Sequence, residues 1–198
     1  DIGYTHIDTA EMYANGHTEE LVGQAIRGVE RSKLFITTKV RPPNLSYKRT
    51  LASINGSLQR LGVDTIDLFL IHWRDSTPLA ETFRALNEAV QAGKIRYLGV
   101  SNFEVDEVKE SQELSETPIV TNQVPYSLTT RRYVRNGVIP YCQENDIVVT
   151  AYSPVEEGRL RVQNVLEEIA TAHDATPYQI ALAWLVQQPW VITIPMSH

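Results

Sequence analysis

The chain has 198 residues, of which 42% are hydrophobic and 21% charged, with a formal net charge of −6 and a single cysteine. This length allows one domain with a substantial core. The acidic balance and the lack of a long Lys/Arg run exclude a general nucleic-acid binder or an anionic-membrane binder, since both need clustered basic charge. Cys142 alone cannot form an intrachain disulfide, which points to a reducing, cytoplasmic setting, and no apolar stretch is long enough to span a bilayer.

In chain order, strands are expected at residues 4–8, 34–40, 66–72, 96–101, 119–124, 147–152 and 191–195. These runs are apolar without clean alternation, as in strands covered on both faces. Helical patterns lie between most of them. Thr18 is expected to cap a helix with Glu19 and Glu20 in its first turn and Gly28 at its end. Leu51, Ile54, Leu58 and Leu61 share a helical face before Gly62. Thr77 and Pro78 read as an N-cap followed by a first-turn proline, ahead of a Leu79, Phe83, Leu86 and Val90 stripe that Gly93 ends. Thr176 and Pro177 repeat that start signal before Ile180, Ala181, Trp184 and Leu185.

Strand and helix therefore alternate at roughly thirty residues per unit, the spacing of about 250 residues divided into eight βα units. Such alternation implies a parallel sheet, either open and doubly wound or closed into a barrel. No strand is followed by G-x-G-x-x-G, which counts against a dinucleotide-binding doubly wound fold. With no linker or low-complexity segment, residues 1–198 read as a single domain. Seven strands are expected where a barrel has eight. A barrel short of one strand leaves two unpaired edges, so the reading is a partial barrel whose flanking pieces are absent or replaced.

Polar residues collect where these strands end. Asp8 ends the first and Tyr13 follows in the next loop; Lys39 and His72 come at the ends of the second and third. Each has an ordinary explanation: a turn-forming aspartate, a lysine reaching for solvent, a core histidine, a packing tyrosine. Their joint occurrence on three neighbouring strands favours a site, because the C-terminal ends of parallel barrel strands open on one face. Ser101 and Asn102, Asn122 and Gln123, and Tyr152, Ser153 and Pro154 add hydroxyls, amides and an aromatic ring at later strand ends. Turn formation would explain several of these; a floor for a nicotinamide ring would explain them together.

The segments GYTHIDTAEMY, LFITTKV, LGVDTIDLFLIHW, GKIRYLGVSNF, NQVPY, AYSPV and TPYQIALAWLVQQPWVITIP, in this order, resemble the aldo-keto reductase superfamily, in particular its bacterial-type members. The resemblance implies a (β/α)8 TIM barrel that here lacks the first βα unit and the final C-terminal segment. It implies a catalytic tetrad at Asp8, Tyr13, Lys39 and His72. Nicotinamide contacts would fall at Ser101, Asn102 and Gln123, a stacking ring at Tyr152, pyrophosphate contacts from Ser153 and Pro154 onward, and a substrate-pocket residue at Trp73. NADP(H) is the implied cofactor, with NAD(H) as the alternative. Met196 stands where many members carry a lysine that helps grip the 2′-phosphate. The implied reaction is hydride transfer from NAD(P)H to the carbonyl of a small aldehyde or ketone, with Tyr13 as general acid. A free tyrosine titrates near ~10, too high for an efficient donor at neutral pH, and an adjacent Lys39 ammonium would lower that value. Asp8 would hold Lys39, and His72 would orient the carbonyl.

Two other readings use the same residues. A Schiff-base aldolase barrel would use Lys39 as a nucleophile. A non-catalytic regulatory subunit would keep the fold and bind nicotinamide without turnover. A metal site is not expected, because the histidines lack tight ligand spacing. The expected partner is a small carbonyl substrate; nothing in the sequence fixes an oligomeric state.

Overall fold

The computed structural model describes residues 3–160 and 164–195. The chain falls into two compact units, Asp1–Val120 and Thr121–His198. The first carries β1 (His6–Asp8), β2 (Phe35–Val40), β3 (Ile66–Ile71) and β4 (Ile95–Ser101), paired in chain order and all parallel. The register sets Asp8 opposite Thr37, Lys39 opposite Leu70 and Ile71 opposite Val100. Parallel neighbours require crossovers, which here are α1 (His17–Ala25), α2 (Tyr47–Leu61) and α3 (Leu79–Gln91), with α4 (Val105–Leu114) following β4. Every residue of β3 is buried and all but Asp67 are apolar, as in a strand covered on both faces.

The second unit holds most of β5 (Ile119–Pro125), then β6 (Val148–Tyr152) and β7 (Val191–Thr193). These are again parallel in chain order, with Gln123 opposite Thr150 and Ala151 opposite Thr193. Its helices are α5 (Arg132–Arg135), α6 (Val138–Glu144), α7 (Asn164–Ala172) and α8 (Pro177–Val186). Cys142 lies buried in α6, and burial pushes its thiol up to about 11, so it packs as a small apolar residue. Among the described residues, no helix is long and apolar enough to cross a membrane.

Helix boundaries differ from the sequence expectation in identifiable ways. Thr18 lies inside α1; the start is made by Gly16 at φ 91°, because the tight turn Tyr13–Gly16 must reverse the chain first. That helix stops at Ala25, ahead of Gly28. Pro78 takes the cap position of α3 instead of its first turn, and the Asp75 carboxylate accepts the Thr77 N–H at 2.7 Å, so the turn is organised upstream of the threonine. Gly62 closes α2 in the left-handed region and Thr176 caps α8 ahead of Pro177, both as expected, with Gln179 completing a capping box.

Helices α1 and α2 are tied by a buried ion pair that also holds β2. Glu19 has no solvent exposure; its carboxylate accepts from the Thr38 hydroxyl at 2.6 Å and from Arg60 Nε at 2.7 Å. The same two helices touch at Gly23, where an added Cβ would lie 2.5 Å from the Arg60 carbonyl oxygen and 2.8 Å from that of Leu61. Alanine is the better helix former, yet here it must push two backbones apart. Gly23→Ala is therefore expected to lower the unfolding free energy by about 1–3 kcal/mol. A urea titration would show this as a lower midpoint at unchanged slope.

Candidate active site

Asp8, Lys39 and His72 share one end of the first unit because each stands at or next to the C-terminal end of its strand. Period-two alternation puts Thr37 and Lys39 on the opposite face of β2 from Thr38. Thr37 accordingly meets His6 of β1, with Oγ1 and Nε2 2.9 Å apart, while Thr38 reaches outward to Glu19. Lys39 Nζ donates to Asp8 Oδ1 at 2.5 Å and to the Thr9 carbonyl at 2.8 Å. The lysine is fully buried, and the Asp8 side chain is 11% exposed. An ammonium removed from water needs such partners, and losing one costs about 3–5 kcal/mol. Burial lowers the Lys39 pKa; the Asp8 charge and hydrogen bond, and more weakly Glu19, oppose that shift.

Tyr13 begins the turn after β1, its N–H held by the Ala10 carbonyl at 3.0 Å. Ala14 and Asn15 follow at φ 47° and φ 54°, both left-handed. Asparagine tolerates that region, whereas alanine there is strained by roughly 1–2 kcal/mol. The tyrosine ring, 38% exposed, lies with its centroid 5.3 Å from Lys39 Nζ. It meets the His72 ring edge-on, with centroids 5.8 Å apart, and His72 in turn meets Trp73 at 4.5 Å. A cation, a phenol and an imidazole thus face one another beside an exposed indole.

His72 is held neutral: burial first, then the Lys39 ammonium, lowers its pKa to about 4, with Asp8 opposing. Its Nδ1 is buried without a partner among the described residues. A neutral imidazole offers one donor and one acceptor nitrogen, which suits hydrogen bonding to a carbonyl better than carrying charge. At the end of β4, Asn102 takes a left-handed φ of 61° and donates its amide to the His72 carbonyl at 3.1 Å and to Ser101 Oγ at 3.0 Å. Ser101 and Asn102 thereby join the end of β3.

The first unit so brings together Asp8, Tyr13, Lys39, His72, Trp73, Ser101 and Asn102. The remaining expected contacts belong to the second unit. Gln123 is buried two residues before the end of β5, and Tyr152 is the half-buried last residue of β6. Ser153 follows it at φ 49°, and then the buried Pro154. Burial raises the Tyr152 phenol, leaving a neutral ring. Met196 lies outside the described residues. The Thr9 carbonyl, second acceptor for Lys39, had no signal in the sequence because it is a backbone atom. Among the described residues, no group of three or more His, Cys, Asp or Glu could hold a metal ion.

The aldo/keto reductase family model matches residues 1–197. The chain belongs to that family. Methylglyoxal reductase YeaE of Escherichia coli is 40% identical over all of this chain and 71% of its own length. Among solved structures, a thermostable aldo-keto reductase in complex with the inhibitor epalrestat is 46% identical, with a TM-score of 0.95 over 99% of this chain and 73% of that one. An aldo/keto reductase from Klebsiella pneumoniae in complex with NADP and acetate is 38% identical, with a TM-score of 0.89 over 98% of this chain and 70% of that one. The fold class is the α/β (β/α)8 type of these aldo/keto reductases, over the part the chain spans.

The neutral His72 makes a measurable contribution to acid sensitivity. Unfolded, the imidazole titrates near 6.5; folded, near 4. As pH falls through this window the unfolded state binds a proton that the folded state refuses, so stability drops, by an amount on the order of 3 kcal/mol across the whole window. Urea unfolding at a series of pH values is expected to show the wild type losing that much more stability than His72→Gln between pH 6.5 and 4. Parallel pH curves for the two proteins would contradict the buried, neutral assignment.

Proposed function

We propose that the chain is an NAD(P)H-dependent reductase of small aldehydes and ketones, with Tyr13 as the general acid, Lys39 and Asp8 as its electrostatic support and His72 as the carbonyl-orienting group. The observation that carries this reading is the ion pair of fully buried Lys39 with Asp8, lying beside a partly exposed tyrosine ring and a neutral histidine. Dicarbonyl compounds of the methylglyoxal type are the proposed substrates, after the activity for which the Escherichia coli relative is named. Trp73, 38% exposed and packed on His72, is the proposed wall of the substrate pocket.

The residues fit the implied cofactor by their chemistry. A carboxamide needs both donors and acceptors, and Ser101, Asn102 and Gln123 supply hydroxyl and amide groups of both kinds. Tyr152 offers an uncharged, half-buried ring for stacking, and Ser153 and Pro154 are the proposed start of the pyrophosphate-binding stretch. NADP(H) is the proposed form, in keeping with the complex of the Klebsiella pneumoniae relative, with NAD(H) as the alternative. When bound, the reduced nicotinamide supplies the hydride that adds to the carbonyl carbon.

The protein's own part is to handle the oxygen. As negative charge grows there, the Tyr13 hydroxyl donates its proton, and the Lys39 ammonium stabilises the phenolate left behind. Asp8 keeps the ammonium in place. His72, uncharged, holds the carbonyl by a hydrogen bond without competing as the acid. The two acceptors on Lys39 and its lack of exposure argue against a Schiff-base role, which needs a free amine able to reach a carbonyl carbon. The proposed compartment is the cytoplasm.

Tyr13→Phe is expected to lower kcat for methylglyoxal reduction by about 10²–10⁴-fold while leaving the dissociation constant of the reduced cofactor unchanged. Steady-state rates and cofactor-fluorescence titration measure the two quantities. Turnover near that of the wild type would overturn the assignment.

A further inference from the structure

We infer that Glu11 is a positioning residue for the reaction, one that fixes the Tyr13 turn to the strand carrying Lys39; the inference rests on the function proposed above. The backbone beyond β1 keeps pairing with β2 for a short way. Thr9 N–H donates to the Thr37 carbonyl at 2.9 Å, and Glu11 N–H donates to the Lys39 carbonyl at 3.2 Å. In a parallel ladder that continued, the next donor, Arg41 N–H, would reach the Glu11 carbonyl. The chain instead turns away at this point to place Tyr13.

The bond is kept by the side chain of the same residue. Glu11 Oε1 accepts from Arg41 N–H at 2.8 Å and from Asn44 Nδ2 at 3.0 Å. Glu11 is therefore bonded on both sides of Val40, the residue that follows Lys39, to the carbonyl of residue 39 through its backbone and to the N–H of residue 41 through its carboxylate. Tyr13 lies two residues further along the turn. Glu11 is buried, at 8% exposure, so these bonds compete little with water. Distances between the tyrosine ring, Lys39 and His72 are thus set by a clamp one residue wide.

The carboxylate also borders an open cavity of about 320 Å³ that Arg41, Arg49 and Arg60 line. Glu11 could therefore act through its charge instead of its geometry, and chemistry separates the two. Both side-chain bonds go to the same oxygen, Oε1, which a glutamine carbonyl reproduces without charge. Geometry demands an acceptor at that position; electrostatics demands a carboxylate.

The test compares Glu11→Gln, Glu11→Leu and Asn44→Ala in the full protein. Rates are normalised to the sites counted by reduced-cofactor fluorescence, so that unfolded molecules do not contribute. Glu11→Leu is expected to lower kcat by about 10–100-fold, the scale of a displacement of ~1 Å in a reacting group, with KM for methylglyoxal and the cofactor dissociation constant within about threefold of wild type. Glu11→Gln is expected to keep kcat within about threefold, and Asn44→Ala, which removes one of the two bonds, to fall between them. If Glu11→Leu does not fold, the other pair decides: kcat lowered in Asn44→Ala and kept in Glu11→Gln supports the inference, and kcat kept in Asn44→Ala or lost in Glu11→Gln overturns it. Loss of kcat in Glu11→Gln equal to that in Glu11→Leu, or normal kcat in both Glu11→Leu and Asn44→Ala, would overturn the inference. If Tyr13→Phe is inactive while these variants are normal, the positioning role alone fails. If Tyr13→Phe is fully active, the underlying reading fails instead.

Discussion

One buried cation organises the site. Lys39 has lost all contact with solvent, and an ammonium in that position is tolerable only because Asp8 and the Thr9 carbonyl take its hydrogens. The requirement propagates outward. The β1–β2 register must bring Asp8 abreast of the lysine, the chain after β1 must still run beside β2 so that the Thr9 carbonyl is within reach, and the turn must start soon afterwards to leave Tyr13 above the charge. Burial first, and then the lysine's charge, keeps His72 uncharged, since a second cation beside the first is unfavourable. Charge state and geometry in the site are one constraint with several visible results.

The parallel strand order explains how residues distant in sequence meet. Asp8, Lys39 and His72 are about thirty positions apart, yet each stands at the same end of adjacent strands. The opposite ends of the same strands serve stability. Asp67, near the start of β3 and almost fully buried, accepts from the Ile36 N–H at 2.9 Å and from Arg96 at 2.9 Å, and it is also bonded to Arg31. That cluster fastens the ends of β2, β3 and β4 away from the chemistry. The candidate site and this fastening cluster thus stand at opposite ends of the same strands, the division that parallel barrels show.

Much of this was legible in the sequence because it depends on local pattern. Strand ends placed Asp8, Lys39 and His72 correctly, and apolar runs located all four strands of the first unit to within two residues. The first strand is shorter than expected, His6–Asp8, with Tyr4 76% exposed ahead of it. Tyr13 was singled out by its place just past a strand end, but its part as the acid came only through family resemblance, since a loop tyrosine carries no periodic signal. Helix starts were misplaced where a preceding turn set the geometry, as at Gly16 and Asp75. Glu19 reads as a helix first-turn acid, and nothing local marks the parts played by Glu11 and Asp67; the partners Asn44, Arg60 and Arg96 of Glu11, Glu19 and Asp67 lie 33, 41 and 29 positions away, beyond any local pattern.

Strand β2 carries acids on both sides of its end: Asp8 against Lys39 on one face, Glu19 against Thr38 on the other. The strand is only one backbone thick, and the Glu19 charge is felt by the Lys39 ammonium across it. The helical jacket is consequently part of the catalyst's wiring. Replacing the buried Glu19 carboxylate by a neutral side chain therefore also removes one of the charges that favour the protonated form of the lysine behind the wall.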